Sequence, residues 1–290
     1  MCRFTFHLGA PIRLGSLITE PTHSLIKQSF DSKERSEPLN GDGFGVAWYA
    51  NNHDEAAVFR SITPAWNNGN LEDLSRVTTS GCVVAHVRAA TQGLGVTEFN
   101  CHPFKSGNLT FCHNGDIGGF EKIRRPLVNL LSDEAFSSIK GSTDSEHLFA
   151  LILDQLRKQT NTESNAESTD AMANAMQDAV DIVNNLAQEH APGHHCYLNM
   201  VLTNGQEAVV CRYTSDQDDK ASSLYINQGK RYVCEDGVCS MLGDSKDNAV
   251  IISSEPLSAD NSWQQVPVGH MLLINKNLAV TERAFQFALR

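Results

Sequence analysis

Residues 144–188 read DSEHLFALILDQLRKQTNTESNAESTDAMANAMQDAVDIVNNLAQ. Over 144–159 the apolar residues Leu148, Ile152 and Leu156 recur four apart, and over 170–188 Met172, Met176, Val180, Val183 and Leu186 form a second stripe. That spacing puts each set on one face of a helix, so two amphipathic helices are expected, each laying its stripe on a sheet. The QTNTESNAESTD between them is polar and holds no aromatic residue, the composition of a mobile surface connection between antiparallel helices. Outward from this centre the period changes. Segments rich in β-branched and aromatic residues precede it at 46–49, 82–87 and 109–113, and others follow at 197–202, 208–211, 249–252 and 271–274. Strands, two helices, then strands again is the order of an α+β fold with helices packed on antiparallel sheets, not of an alternating β-α-β series.

With 290 residues, 41% of them hydrophobic, the chain can bury a large core. A formal net charge of −11 argues against a nucleic-acid or acidic-membrane surface, because such partners need a concentrated positive field. No apolar run approaches the roughly 20 residues of a membrane span. The opening MCRFTFHLGAPIR lacks the basic-then-apolar order of a signal peptide, so a cytoplasmic protein with its natural N-terminus at residue 1 or 2 is expected. Of the eight cysteines, the seven after Cys2 read mostly as reduced, small core hydrophobes. Tight Cys-x-x-Cys pairs are absent; Cys234 with Cys239 and the His194-His195-Cys196 run come nearest, and neither a metal nor a cofactor is expected.

Cys2 is the first candidate for chemistry. Removal of Met1 would leave one residue carrying both a thiol and a free α-amine, whose reference pKa of about 7.7 to 8.0 suits it to act as the thiol's own base. Next comes AHVRAAT, where a strand ends in Arg88 and Thr91: a guanidinium fork there matches a carboxylate in two-point fashion, or it satisfies a neighbouring Asp or loop carbonyls. In FCHNGDI, the strand from Leu109 runs into His113-Asn114-Gly115. Asn-Gly makes a turn, or an Asn amide and the Gly N–H converge on one oxygen as an oxyanion hole. In GSTDSE, Thr143 and Glu146 form a capping box, and Asp144 in the first helical turn can also take an ammonium group. LNGDGFGVAWY, from Leu39, reads as a hairpin or a close backbone approach before a strand. Together the pieces describe one ligand: Arg88 for an α-carboxylate, Asp144 for an α-ammonium, Asn114 and Gly115 for a side-chain carbonyl, and Cys2 to attack it. That is a glutamine or γ-glutamyl pocket.

Cys2, the R-x-x-T of Arg88 to Thr91, the HNG of His113 to Gly115 and the T-D-S-E of Thr143 to Glu146 occur in the order seen in class II glutamine amidotransferases, which the chain resembles over most of its length. The resemblance extends to the stand-alone subgroup that includes the amidotransferase subunit of the glutathione-degrading complex, through MCRF, QSFDS from Gln28, NGDGFGVAWY from Asn40, ITPAWNN from Ile62, NCHPF from Asn100 and SSEPL from Ser253. It implies the four-layer αββα fold of N-terminal nucleophile hydrolases, with two stacked, mainly antiparallel sheets between helical layers. It also implies a single such domain over 2–290, with a flexible surface insert around 159–170. The implied activity is an amidohydrolase that cuts the γ-glutamyl amide of glutamine, or of a compound such as glutathione, through a Cys2 thioester and releases glutamate. Catalysis would fall to Cys2, Asn114 and Gly115, and substrate binding to Arg88, Thr91, His113 and Asp144. Two alternatives accompany it: an ammonia-supplying glutaminase subunit of a separate synthase, and a noncatalytic γ-glutamyl binder. A peptidase-like or synthase protein partner is implied, since no synthase domain is appended. The glucosamine-phosphate synthase branch has Trp after the clamp arginine and His after the threonine; Ala89 and Gln92 stand here, so the pocket walls differ.

Overall fold

The computed structural model describes residues 2–34, 39–89, 95–160, 168–217, 221–229, 231–235, 238–242, 248–259 and 261–287. The chain runs β1 (Arg3–Arg13), α1 (Gly15–Ile18), α2 (Leu25–Phe30), β2 (Phe44–Trp48), β3 (Ala57–Ser61), α3 (Gly69–Val77) and β4 (Thr79–Val87). It continues through β5 (Phe104–Ser106), β6 (Leu109–Asp116), α4 (Phe120–Leu130), α5 (Asp133–Ser138), α6 (Asp144–Thr160), α7 (Thr169–His190), β7 (Tyr197–Thr203) and β8 (Ala208–Thr214). It ends with β9 (Tyr225–Gly229), β10 (Arg231–Glu235), β11 (Val238–Leu242), β12 (Ala249–Ser253), β13 (Gln264–Gln265), β14 (His270–Ile274) and β15 (Val280–Ala284).

One compact unit comprises Met1–Cys112, Thr203–Gln206 and Ser223–Val266. Its sheet has the order β13-β9-β12-β1-β4-β2-β3, with antiparallel neighbours throughout. β1 lies at the centre, and its register with β4, Arg3 opposite Val87, places Cys2 beside Arg88 and Ala89. The RFTFHL alternation of β1 looks half-exposed, yet Arg3 to Leu8 are all buried, so the polar Arg3, Thr5 and His7 sit on a covered face. Phe4 and Phe6 are fully buried, each worth about 1.5–3 kcal/mol of apolar transfer. α1 and α2 pack on β1, and Leu14, Leu17, Leu25, Phe44, Val83 and Ile251 belong to the core they enclose.

The second unit comprises His113–Leu202, Glu207–Ser222 and Pro267–Arg290. It holds most of a six-stranded sheet of order β15-β14-β8-β7-β6-β5, in which β14 pairs antiparallel with β15 and β8. α7 packs on α6 and over β8 and β14. Its stripe of Met172, Met176, Val180, Val183 and Leu186 is buried, as are Leu148, Ile152 and Leu156 of α6. Ser168 caps α7 by accepting the Ala171 N–H at 3.3 Å.

The α+β class and the two mainly antiparallel sheets agree with the sequence reading, and so do both long helices and all seven strand segments. Five further helices and β1 itself are not among the expected elements. The middle of the connection expected at 159–170 lies outside the described residues. One expectation is corrected. Cys234 and Cys239 are not separate thiols but a disulfide across the β10–β11 hairpin, whose register puts the two residues opposite each other.

Candidate active site

Cys2 precedes the first residue of β1 and is half-buried, whereas the other free cysteines are buried. Burial pushes the Cys82 thiol up to about 12 and Cys196 up to about 11, which keeps both protonated and inert. The Cys2 sulfur accepts the Ala89 N–H at 3.4 Å and its thiol donates to the Ala89 carbonyl at 3.6 Å. The thiol is thereby held at the exit of β4, one residue beyond Arg88.

Arg88 is buried, and its backbone is fixed by its own N–H to the Gly43 carbonyl at 2.8 Å and by the Asp42 N–H to its carbonyl at 3.0 Å. Its guanidinium has one long contact, Nη1 to the Asp42 carbonyl at 3.5 Å, and no carboxylate partner among the described residues. The Asp or loop-carbonyl alternative thus leaves most of the fork unused, while a ligand carboxylate would fill it. The close approach read from LNGDGFGVAWY is present: Gly43 has φ +119°, and a Cβ there would lie 2.7 Å from the Ser61 carbonyl oxygen and 2.8 Å from the Cys101 sulfur. Thr91 lies outside the described residues.

In the second unit, β6 passes through Asn114 and Gly115 and ends at Asp116, so the Asn-Gly pair is not a hairpin turn. Gly115 has φ +154°, and a Cβ would stand 1.7 Å from the Tyr197 carbonyl oxygen, so only glycine allows this approach of backbone to backbone. His113 is buried, with Nε2 3.2 Å from the Tyr197 carbonyl and Nδ1 2.9 Å from the Ser145 hydroxyl. The carbonyl accepts only, which assigns the proton to Nε2 and leaves Nδ1 to accept from Ser145. Burial lowers the His113 pKa against the opposing pull of Asp144, in keeping with a neutral ring.

Asp144 opens α6. One carboxylate oxygen accepts the Ile117 N–H at 2.9 Å, and the other accepts the Ser145 N–H at 2.8 Å. No Lys or Arg pairs with it among the described residues. The capping contact is present as well, since Thr143 Oγ1 accepts the Glu146 N–H at 3.2 Å. Structural cap and charge-site readings therefore divide between neighbours: Thr143 caps, and Asp144, with no Lys or Arg partner among the described residues, is tied to the segment that follows Gly115. Residue-type reasoning overlooked Ser145 and Tyr197 and read Ala89 only as a pocket wall. The last two act through backbone atoms that no motif encodes, and Ser145 was legible only as the residue beside Asp144.

Residues 17–286 match the family model described as glutamine amidotransferases class-II. The chain belongs to that family. Among similar class II amidotransferases, "Probable glutamine amidotransferase DUG3" of Saccharomyces cerevisiae is 40% identical over 95% of this chain and 82% of its own length. A gamma-glutamyl-hercynylcysteine sulfoxide hydrolase of Mycolicibacterium smegmatis is 23% identical over 94% of this chain and 95% of its own. Among solved structures, a glutamine aminotransferase class-II domain protein from Silicibacter pomeroyi superposes with a TM-score of 0.67 at 27% identity, covering 98% of this chain and all of that one. The glutamine phosphoribosylpyrophosphate amidotransferase of B. subtilis shares the fold at 17% identity and a TM-score of 0.59, over all of this chain and 50% of that one. This class II amidotransferase is accordingly an enzyme. Among the described residues, no helix is long and apolar enough to cross a membrane, and no three His, Cys, Asp or Glu residues are grouped to hold a metal ion.

Proposed function

We propose that this enzyme hydrolyses a γ-glutamyl amide with Cys2 as nucleophile. The observation that carries the reading is a half-buried thiol held at Ala89, directly after a buried Arg88 whose fork lacks a carboxylate partner among the described residues. After loss of Met1, the Cys2 thiol gives its proton to its own α-amine, and the thiolate attacks the γ-carbonyl. Asn114 and the Gly115 N–H hold the oxyanion, where removal of one donor costs on the order of 100-fold in rate. The amine proton passes to the departing nitrogen as the C–N bond breaks, leaving a thioester; water then cleaves the thioester, restoring the thiol and releasing glutamate. Arg88 takes the donor's α-carboxylate and Asp144 its α-ammonium. His113, held neutral, braces the strand that carries Asn114, and Thr91 is assigned to substrate binding by the family resemblance alone.

The donor is a γ-glutamyl thiol compound such as glutathione or, in an ammonia-supplying subunit, glutamine. The likeness to a gamma-glutamyl-hercynylcysteine sulfoxide hydrolase supports the first, while Ala89 in place of a bulky Trp leaves room for either donor. A peptidase-like protein that consumes the other product is the expected partner, in the cytoplasm. The test measures glutamate release from glutamine and glutathione side by side, with and without a dipeptidase, on protein whose N-terminus has been confirmed by mass. Cys2→Ala is expected to bring release to background while ligand binding persists; unchanged turnover would sink the assignment. Binding without release from either donor would leave a noncatalytic binder.

A further inference from the structure

Cys2 stands ahead of β1, where a chain end frays unless it is tied down. Its carbonyl accepts from Arg3 Nη1 at 3.1 Å. The same buried guanidinium gives Nε to Glu255 at 3.0 Å and Nη2 to the Ser32 hydroxyl at 3.0 Å. Ser32 donates in turn to Glu255, whose carboxylate also accepts from His23 Nε2 at 2.7 Å, from the Lys33 N–H at 2.9 Å and from the Glu34 N–H at 3.4 Å. Glu255 and Arg3 are each 1% exposed. A buried ion pair is weak evidence of stabilisation, because desolvation offsets the attraction, so stability alone is a poor reason for this network. What it delivers is a rigid guanidinium aimed back at the residue before it. Fixing the Cys2 carbonyl fixes its peptide plane and the position of the Cα that carries the amine and the side chain, and the contacts of the sulfur to Ala89 then set the rotation about the Cα–C bond. Three segments far apart in sequence, MCRF, QSFDS and SSEPL, meet in this one cluster.

We propose that Arg3, locked by Glu255 and Ser32, is a positioning residue that orients the Cys2 amine and thiol for proton transfer and attack. The inference rests on Cys2 being the nucleophile. Arg3 touches no substrate, so its loss is expected in kcat rather than KM, and misplacement of a reacting group by about an ångström costs on the order of 100-fold.

The experiment compares wild type, Arg3→Lys and the double variant Arg3→Met/Glu255→Gln, all with Met1 removed and folding checked by circular dichroism. The double variant removes both charges and so leaves neither one buried alone. Arg3→Lys retains a charge for Glu255, but one ammonium cannot reproduce the three-way fork. Two readouts are taken: kcat and KM for glutamate release, and the pH profile of iodoacetamide alkylation of Cys2 followed by mass. The expected result for both variants is kcat about 100-fold lower, KM within about threefold of wild type, and a displaced alkylation profile. A folded variant with wild-type kcat and an unchanged alkylation profile overturns the proposal. If the double variant does not fold, Arg3→Lys decides alone, and full activity there overturns it. If wild type releases no glutamate from any donor, the donor assignment fails separately, and the alkylation profile still decides whether Arg3 sets the state of Cys2.

Discussion

Two buried arginines stand at adjoining ends of neighbouring strands, Arg3 at the start of β1 and Arg88 just past the end of β4. Arg3 has its fork filled by Glu255, Ser32 and the Cys2 carbonyl, whereas among the described residues Arg88 makes a single long contact to the Asp42 carbonyl. The carboxylates divide in the same way. Glu255 is surrounded by donors from His23, Ser32, Lys33, Glu34 and Arg3, while Asp144 accepts only from Ile117 and Ser145 and has no cation among the described residues. Burial of the charge therefore does not distinguish scaffold from receptor between the two arginines. The distinction lies in whether the protein itself completes the charged group's hydrogen bonds.

The largest effect that separates the two classes is on stability. Glu255→Ala strands Arg3 as a buried charge without its partner and is expected to cost about 3–5 kcal/mol in urea unfolding at pH 7. Arg88→Met removes a charge that no carboxylate compensates, so the folding free energy should change by less than about 1 kcal/mol or rise. Comparable losses in the two variants would break the contrast. Next in size is Arg88→Lys, which keeps the charge but loses two-point geometry: KM for glutamine should rise about 100-fold, the worth of one to two charged hydrogen bonds, with unfolding unaltered. Asp144→Asn should follow with about a tenfold rise in KM, equivalent to about 1.4 kcal/mol, because the substituted amide would still accept a backbone N–H but would carry no charge. An unchanged KM there would reduce Asp144 to an anchor for Ile117.

The contrast between the arginines was only half legible beforehand. Helical stripes such as Met172 to Leu186 are written in the sequence because packing against a sheet demands a period, and they folded as read. Arg88 is legible because it ends an apolar strand, and Asp144 because helix entry has its own residue code. Arg3 was not singled out, since an alternating RFTFHL strand ordinarily puts its polar side in water. Its partner lies 252 residues away, and no local pattern announces a pairing of that range. The same applies to Gly115, where a turn was the cheaper reading until the Tyr197 carbonyl stood against it. Chemistry that depends on backbone atoms or on distant pairing is invisible to spacing, whereas chemistry at element ends is not.

The covered polar face of β1 supplies the smallest and most discriminating test, through His7. Unlike Arg3, it meets no charged partner: Nε2 bonds the Ala10 carbonyl at 2.9 Å and Nδ1 is buried with no partner among the described residues. Burial lowers its pKa to about 4, so the native state holds it neutral while the unfolded chain takes up a proton near the ordinary 6.5. Folding stability that depends on the neutral ring is therefore complete above about 6.5 and is lost as pH falls toward about 4. Glu255 has the acid's version of the same sign. Burial would raise it, but the hydrogen bonds from His23, Ser32 and Lys33 and the charge of Arg3 outweigh that and hold it well below the usual carboxylate range. Its contribution is present above the unfolded carboxylate value of about 4.3 and is lost only below it. The acid limb should thus have two stages. The His7 stage should begin with a loss of under about 1 kcal/mol between pH 7 and 6 and continue at up to about 1.4 kcal/mol per pH unit toward about 4, and His7→Gln should flatten it while leaving the Glu255 stage below about 4.3 in place. The Arg3→Met/Glu255→Gln double variant should do the reverse. Urea midpoints at about pH 7, 6, 5, 4 and 3 for the three proteins separate a neutral buried side chain from a charge-paired one on a single strand, and a common, unshifted acid limb in all three would show that neither group sets it.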